Sequence, residues 1–371
     1  MIGPVTFSYD ELLSHKKAGV PTAAIDKLRR DADGIIADTP WNVTMRTLRA
    51  PTGDPHDYMS MGPYWWPNPD TKDGLPYVSR DCLVNPETVQ KVNIPALYGR
   101  IYTLALAAFY LEDKKYAEYA ERQLYDWFIN PETKMNPSAR YAQSIPGRTD
   151  GDCYGLIDFA TAFSLFDALG IFDAMGCVLQ SVIDGTREWY KEFTDWLFTS
   201  KSGIDAGNCT SNHGTWYDAH IISAAAGTGR YELVRRIFTT AYDNRARRGI
   251  REDGGMPREL DRAAAMSYTF FNLDALLVIA RVAEGYGRGE YWSVDKERGV
   301  CLIKHAVDFI YPYVKNPESF PYKELRPENQ WRRIKRALRS VDKRFPGEGY
   351  AERVMEFQND DDDISRLVPV K

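Results

Sequence analysis

Apolar residues recur at helical spacing along most of this chain. Ile94, Leu97, Tyr98, Ile101, Leu104, Ala105, Ala108 and Phe109 follow one another at three- to four-residue intervals, which predicts a long helix. A second pattern runs through Tyr116, Ala120, Leu124 and Phe128 after the Asp113-Lys114-Lys115 turn. It stops at Asn130-Pro131, because the residue before a proline is disfavoured in a helix. The same period marks 155–169, 175–199, 216–227, 230–247, 263–284, 294–314 and 328–338, and short turns such as Gly227-Thr228-Gly229 separate several pairs. Consecutive helical hairpins of this kind predict an all-α chain, an α/α toroid or incomplete α/α barrel whose inner helices line a cleft. No period-two alternation of useful length is present, so a second, β-type domain is not expected.

Two stretches break the helical period. Between Thr47 and Asn93 the chain turns to Gly, Pro and aromatic residues, and a loop of that length inside a compact domain is usually functional. Tyr58, Tyr64, Trp65 and Trp66 lie in it. Their ring faces suit stacking on sugar rings, while packing of the loop onto the helices is an equal reading for Trp65 or Trp66. The second loop, Asn130 to Asp152, carries Gln143 and Arg148 as polar candidates. Both loops are expected over the cleft. One domain over 1–371 is the simplest division, with a solvated acidic segment near 359–363, where Asp360 to Asp363 form a charge run.

A net charge of −5 and a pI of about 5.7 argue against nucleic-acid binding by bulk electrostatics. A locally basic cleft is still available from Arg140, Arg148, Arg258 and Arg262. The five cysteines, Cys82, Cys153, Cys177, Cys209 and Cys301, lack C-x-x-C spacing, so no metal knuckle or redox motif is expected. A disulfide partnership of Cys153 or Cys209 stays open if the chain is exported. No apolar run approaches the roughly 20 residues that span a bilayer, so no membrane partner is expected. The start of the sequence shows neither the basic nor the apolar region of a signal peptide.

The chemistry concentrates in two segments. Asn212-His213-Gly214-Thr215-Trp216-Tyr217-Asp218 is followed by Pro257-Arg258-Glu259-Leu260-Asp261-Arg262 and then Tyr268. An amide, an imidazole, a guanidinium and a phenol can neutralise a carboxylate and move a proton beside it. With His56-Asp57-Tyr58-Met59-Ser60-Met61-Gly62-Pro63-Tyr64-Trp65-Trp66-Pro67, Asp73-Gly74-Leu75-Pro76-Tyr77, Val84-Asn85-Pro86-Glu87, Met135-Asn136-Pro137 and Gln143-Ser144-Ile145-Pro146-Gly147-Arg148, these segments resemble the alginate lyase superfamily. The likeness is to its α/α-toroid lyases of alginate or glucuronan, and it runs from about Asp38 to about Ala283.

The resemblance implies a polysaccharide lyase that cleaves 1,4-linked uronic-acid polymers by β-elimination without a cofactor or metal. It implies His213, Tyr268, Asn212 and Arg262 as the catalytic set. Tyr64, Trp65, Trp66, Gln143, Arg148, Trp216, Tyr217 and Arg258 are the expected substrate contacts. Asn212 also reads as an N-cap for a helix beginning near Gly214 or Thr215. Arg262 precedes Tyr268 by more than a helical turn, so a non-helical start at Ala263 would let the two side chains meet. One departure is Cys209-Thr210-Ser211, where family members often show a second Asn or a charged residue. A polymer must be cut before it can cross a membrane, so a periplasmic or secreted location is expected.

Three rivals stay open. His213 and His220 are spaced two helical turns apart, unlike the paired i, i+4 ligands of a metal hydrolase. Asp57, Asp150, Asp152, Asp158, Glu259 and Asp261 supply carboxylates for an inverting glycoside hydrolase. A non-catalytic sugar-binding protein would keep the aromatic loop and have no need of His213 or Tyr268.

Overall fold

The computed structural model describes residues 2–325 and 327–370. Its helices in chain order are α1 (Tyr9–Ala18), α2 (Thr22–Ala37), α3 (Ile94–Leu111), α4 (Lys114–Phe128), α5 (Ala162–Met175), α6 (Gln180–Thr199) and α7 (Lys201–Gly207). After these come α8 (Asn212–Gly227), α9 (Tyr231–Ala241), α10 (Pro257–Leu260), α11 (Ala265–Glu284), α12 (Leu302–Lys315), α13 (Trp331–Arg344) and α14 (Tyr350–Met355). Four short strands complete it: β1 (Met59–Met61), β2 (Trp65–Trp66), β3 (Val78–Ser79) and β4 (Tyr141–Ser144). β1 pairs in parallel with β4, and β2 pairs antiparallel with β3.

Several predicted stretches divide where the backbone must turn. The 155–169 pattern is a 3-10 turn, Cys153–Phe159, followed by α5. Gly176, in the left-handed region at φ 60°, ends α5, so the next helix begins at Gln180 rather than at Met175. The 230–247 pattern is α9 continued by a π-helical stretch, Tyr242–Arg247. α1 carries a full capping box, in which Ser8 Oγ accepts from Glu11 N at 3.2 Å and Glu11 Oε2 accepts from Ser8 N at 2.7 Å.

The contacts form two compact units. The first gathers residues 2–4, 28–209 and 224–230, and the second gathers 5–27, 210–223 and the described residues from 231 onwards. In the first unit α3 packs on α4 and α5, and α4 packs on α6. Its core is aromatic: Trp127, Tyr98, Tyr190, Phe159, Phe166, Phe172 and Phe193 are fully buried. Burying one such side chain contributes roughly 1.5–3 kcal/mol. Trp127 Nε1 and Trp189 Nε1 donate to the carbonyls of Trp41 and Met135, each at 2.7 Å, so the polar edges of these rings are satisfied inside the core.

In the second unit α11 packs on α12, α12 on α13, and α13 on α14. α1 belongs to this unit, and His15 Nε2 lies 2.9 Å from the carbonyl oxygen of Arg366. Two acids of the segment near 359–363, expected to be solvated, are buried, while Asn359, Asp361 and Asp362 stay in solvent contact. Asp360 is 1% exposed and sits among Lys335, Arg339 and Arg366 at 3.0, 2.6 and 3.4 Å, while Asp363 is buried beside Arg336 at 3.2 Å. The cations of α13 and its neighbours neutralise a cluster that bulk composition reads as a tail.

Three helical stretches, Ile94–Leu111, Cys153–Met175 and Ala265–Glu284, are long and apolar enough to cross a bilayer by length and composition, which corrects the expectation that none exists. More than half of each is buried inside the chain, and helices that are apolar on most sides are what a large core uses.

Asp360 yields a stability prediction. Burial works against its charge, yet the hydrogen bonds from Arg339 and Lys335 prevail and hold its carboxyl at about 2. Its contribution is therefore complete above the unfolded value of about 3.9 and is lost as pH falls towards 2. Asp360→Asn should cost about 3 kcal/mol in denaturant titrations near neutral pH, because it strands buried cations. The gap between variant and parent should close as the titrations are repeated towards pH 2.

Candidate active site

Both chemical segments lie in the second unit. α8 begins at Asn212 itself, so the expected N-cap role is corrected: the Asn212 backbone N–H is one of the unpaired donors of the helix start. Glu259, at the end of α10, takes that donor. Its Oε1 accepts from Asn212 N at 2.7 Å and its Oε2 accepts from Asn212 Nδ2 at 2.6 Å. Both residues are 1% exposed. Burial pushes the Glu259 carboxyl up, and the two Asn212 hydrogen bonds and the Arg262 charge pull it back down. A carboxylate at a helix N-terminus also meets the positive end of the helix dipole.

Glu259 ties the remaining groups to Asn212. Arg262 follows it by one turn, with Arg262 N donating to Glu259 O at 3.2 Å. α11 starts only at Ala265, and Ala264, at φ −126° and ψ 63°, is not helical. That break brings the Arg262 guanidinium over the Tyr268 ring, 3.8 Å from its centroid, the contact that a continuous helix would not ensure. The first turn of α11 is braced in turn. Ser267 N and Oγ donate to Glu324 at 2.9 and 3.1 Å, and Arg333 Nη1 donates to Ser267 O at 2.9 Å.

Rings join the two helices. Trp216 meets Phe271 at 5.1 Å between centroids, and Phe271 meets Tyr268 edge-on at 6.3 Å. His213 lies one turn before Trp216, on the same face of α8, and is half-buried. Asn212, Arg262 and Tyr268 are thus linked through Glu259 and the rings between α8 and α11, and His213 stands next to Asn212 on α8. Asn212 Oδ1 is buried and accepts no hydrogen bond among the described residues.

Other expected contacts stand apart from it. Trp216 is 4% and Tyr217 8% exposed. Neither offers a face to a sugar, so both are packing residues, and burial raises the Tyr217 phenol. Arg258 is exposed. His220 is buried, and burial pushes its imidazole down to about 3, so it is neutral. Among the described residues no group of three or more His, Cys, Asp or Glu is placed to hold a metal ion. A cavity of about 960 Å³ in this unit is lined by Arg247, Arg248, Arg251 and Arg298 with acidic neighbours, and none of the four candidate residues lines it.

The loop residues lie in the first unit. Tyr64, Trp65 and Trp66 are half-buried. Arg148 is exposed and lies over the Trp65 ring at 5.0 Å, with its Nε held by Tyr77 O at 2.7 Å, while Arg80 lies over Trp66 at 5.1 Å. Gln143 stands at φ 51°, a left-handed conformation costing about 1–2 kcal/mol. It is kept there by hydrogen bonds from Gln143 N to Ser60 Oγ at 2.8 Å and from Gln143 Nε2 to Asp158 at 3.3 Å. Asp158 also accepts from Tyr58 OH at 3.0 Å and Ser60 Oγ at 2.6 Å, at the side of a cavity of about 230 Å³. Burial pushes its carboxyl up against these donors. Glu259 and Asp158 entered the sequence reading only as hydrolase carboxylates. The available signals were an acid one turn before Arg262, and an acid between Ile157 and Phe159 that an apolar stretch would bury with partners.

The sequence profile of the alginate lyase family matches residues 42–320. The chain is similar to an alginate lyase from Bacteroides ovatus, with 31% identity over 99% of both chains and a TM-score of 0.92. It is similar in fold to alginate lyase A1-III from Sphingomonas species A1, at 17% identity over 94% of this chain and 96% of that one, with a TM-score of 0.57. A histidine-to-alanine variant of alginate lyase A1-III, complexed with a tetrasaccharide, matches at 19% identity over 88% of each chain, with a TM-score of 0.56. Comparison with curated proteins gives no match. The all-α, α/α-toroid class expected from the helical hairpins is the fold of these relatives.

Glu259→Gln presents a donor to the Asn212 amide in place of an acceptor. It should lower stability by about 1–3 kcal/mol in urea titrations, the cost of unpaired buried polar groups. A loss within the error of the titration would remove Glu259 as the anchor of Asn212.

Proposed function

The chain belongs to the alginate lyase family and is a polysaccharide lyase, and from that premise we propose that it cleaves 1,4-linked uronic-acid polymers by β-elimination. The substrates proposed are alginate, mainly mannuronate-containing, or glucuronan. The product is a 4,5-unsaturated uronate at the new non-reducing end. The observation that carries this reading is the Arg262 guanidinium stacked on the Tyr268 phenol, within a locus that Glu259 ties to Asn212. The relatives supply the substrate class: one is an alginate lyase, and another is described with a bound tetrasaccharide.

The chemical difficulty is the weak acidity of the C5 proton, since the adjacent carboxylate keeps its charge. In the proposed mechanism Asn212 and His213 donate to that carboxylate as it gains enediolate character, and such fixed donors favour the transition state over the ground state. Tyr268 moves the proton. A phenol ionises near 10, so the cation on its ring face is needed to favour the phenolate near neutral pH. For mannuronate the C5 proton and the O4 leaving group lie on one face, and Tyr268 takes the proton and then returns it to O4. For guluronate they lie on opposite faces, and His213 takes the proton while Tyr268 protonates O4.

In the first unit, Tyr64, the Trp65–Arg148 pair, Trp66 and Gln143 are proposed sugar contacts, because they combine ring faces with charge and amide donors. Inverting hydrolysis requires two carboxylates free for acid and base work, and Glu259 is spent on Asn212. A periplasmic or secreted location belongs to the proposal, since the polymer needs cutting before uptake.

Tyr268→Phe should fold normally and lose about 10²–10⁴ in kcat on mannuronate-rich alginate or glucuronan. The assay is the ultraviolet absorbance of unsaturated ends, and full activity of this variant, or reducing ends without absorbance from the parent, would sink the reading. Arg262→Met removes support for the phenolate, so the alkaline rise of its pH–rate profile should move to higher pH, with no movement if Arg262 serves structure alone.

A further inference from the structure

Apart from the proposed site, the first unit brings together two thiols that are distant in sequence. Cys153 opens the 3-10 turn Cys153–Phe159, and Cys209 lies just beyond α7, with Cys209 N donating to Ala206 O at 3.1 Å. The two thiols lie close enough to interact, and the Cys209 thiol donates to Asp205 O at 3.5 Å. α7 packs directly on the 3-10 turn, so the thiol contact belongs to a packed junction. Both cysteines are half-buried, and their neighbour Tyr154 is 48% exposed, which leaves the pair open to a small reagent. By contrast Cys82 and Cys301 are buried, and the Cys177 thiol is directed to Phe172 O at 4.0 Å.

We propose that Cys153 and Cys209 form a modification site, a dithiol that a small-molecule disulfide such as oxidised glutathione converts into an intramolecular disulfide. In the proposed sequence Cys209 attacks first. Its thiolate attacks one sulfur of oxidised glutathione, breaks that S–S bond and expels one glutathione thiolate. The Cys153 thiolate then attacks the Cys209 sulfur of the mixed disulfide and expels the second. The protein gives up two protons and two electrons, and one oxidised glutathione becomes two reduced ones.

The bond would close a loop containing α5, α6 and α7. It would also pin the backbone three positions ahead of Asn212 in sequence. Cross-linking a loop of that length restricts the unfolded chain and raises the melting temperature.

The full chain, equilibrated in buffers of reduced and oxidised glutathione, is digested without reductant and its peptides mapped. The expected result is one linked species joining the Cys153 and Cys209 peptides. It should come with a rise in Tm of roughly 4–8 °C that dithiothreitol reverses. Cys153→Ser and Cys209→Ser should each abolish the rise, and Cys177→Ser should keep it. Stable mixed disulfides with glutathione, links to other cysteines, or no linked peptide under fully oxidising buffer would each overturn the proposal, and the mapping decides even if a serine variant fails to fold.

Discussion

The candidate site depends on one buried carboxylate receiving two N–H groups from a single residue. A helix start leaves donors unpaired, and a carboxylate out of water is costly unless it is hydrogen-bonded. Glu259 and Asn212 each resolve the other's problem. The pairing fixes where α8 begins relative to α10. Because Arg262 stands one turn beyond Glu259, it also fixes the guanidinium that lies on Tyr268. Truncating Glu259 or Asn212 leaves the other with a buried polar group unmatched.

The first unit uses the same device. Asp158 gathers Tyr58, Ser60 and Gln143, and Arg46 lies over the Tyr58 ring at 4.6 Å. Here the organised element is irregular backbone. Gln143 holds a left-handed conformation that its own side chain helps to secure through Asp158. In both units a buried acid holds neighbouring amide or hydroxyl groups in place.

The helical part of the fold was legible because apolar periodicity reports burial directly. α3 and α4 begin and end within a few residues of their patterns. α1 was not read, since its buried face reduces to Leu12, although Ser8 and Glu11 spelled out a capping box. Asn212, His213, Arg262 and Tyr268 stand out as a set in the sequence because their residue types are unusual together. Their contacts were not legible there, since the stacking of Arg262 on Tyr268 depends on the backbone of Ala264, which no side-chain pattern encodes. The burial of Trp216 and Tyr217 was not legible for a related reason: an aromatic next to a candidate histidine looks the same in sequence whether it faces a ligand or the core. The acidic run at Asp360 was misread because its cations come from α13 and Arg366 and not from adjacent positions.

The second unit contains both α1 and the chain beyond α13, joined where His15 meets Arg366, and the turn before Tyr268 is braced by Glu324 and Arg333. On a ribosome α1 therefore emerges before the bulk of the first unit, and the rest of the second unit emerges largely after it. α1 has to wait, tethered to an already folding first unit, until α13 and Arg366 have been translated. The proposed proton-transfer residue acquires its supports only at that late moment, so a prematurely terminated product would carry Tyr268 without the scaffold that orients it.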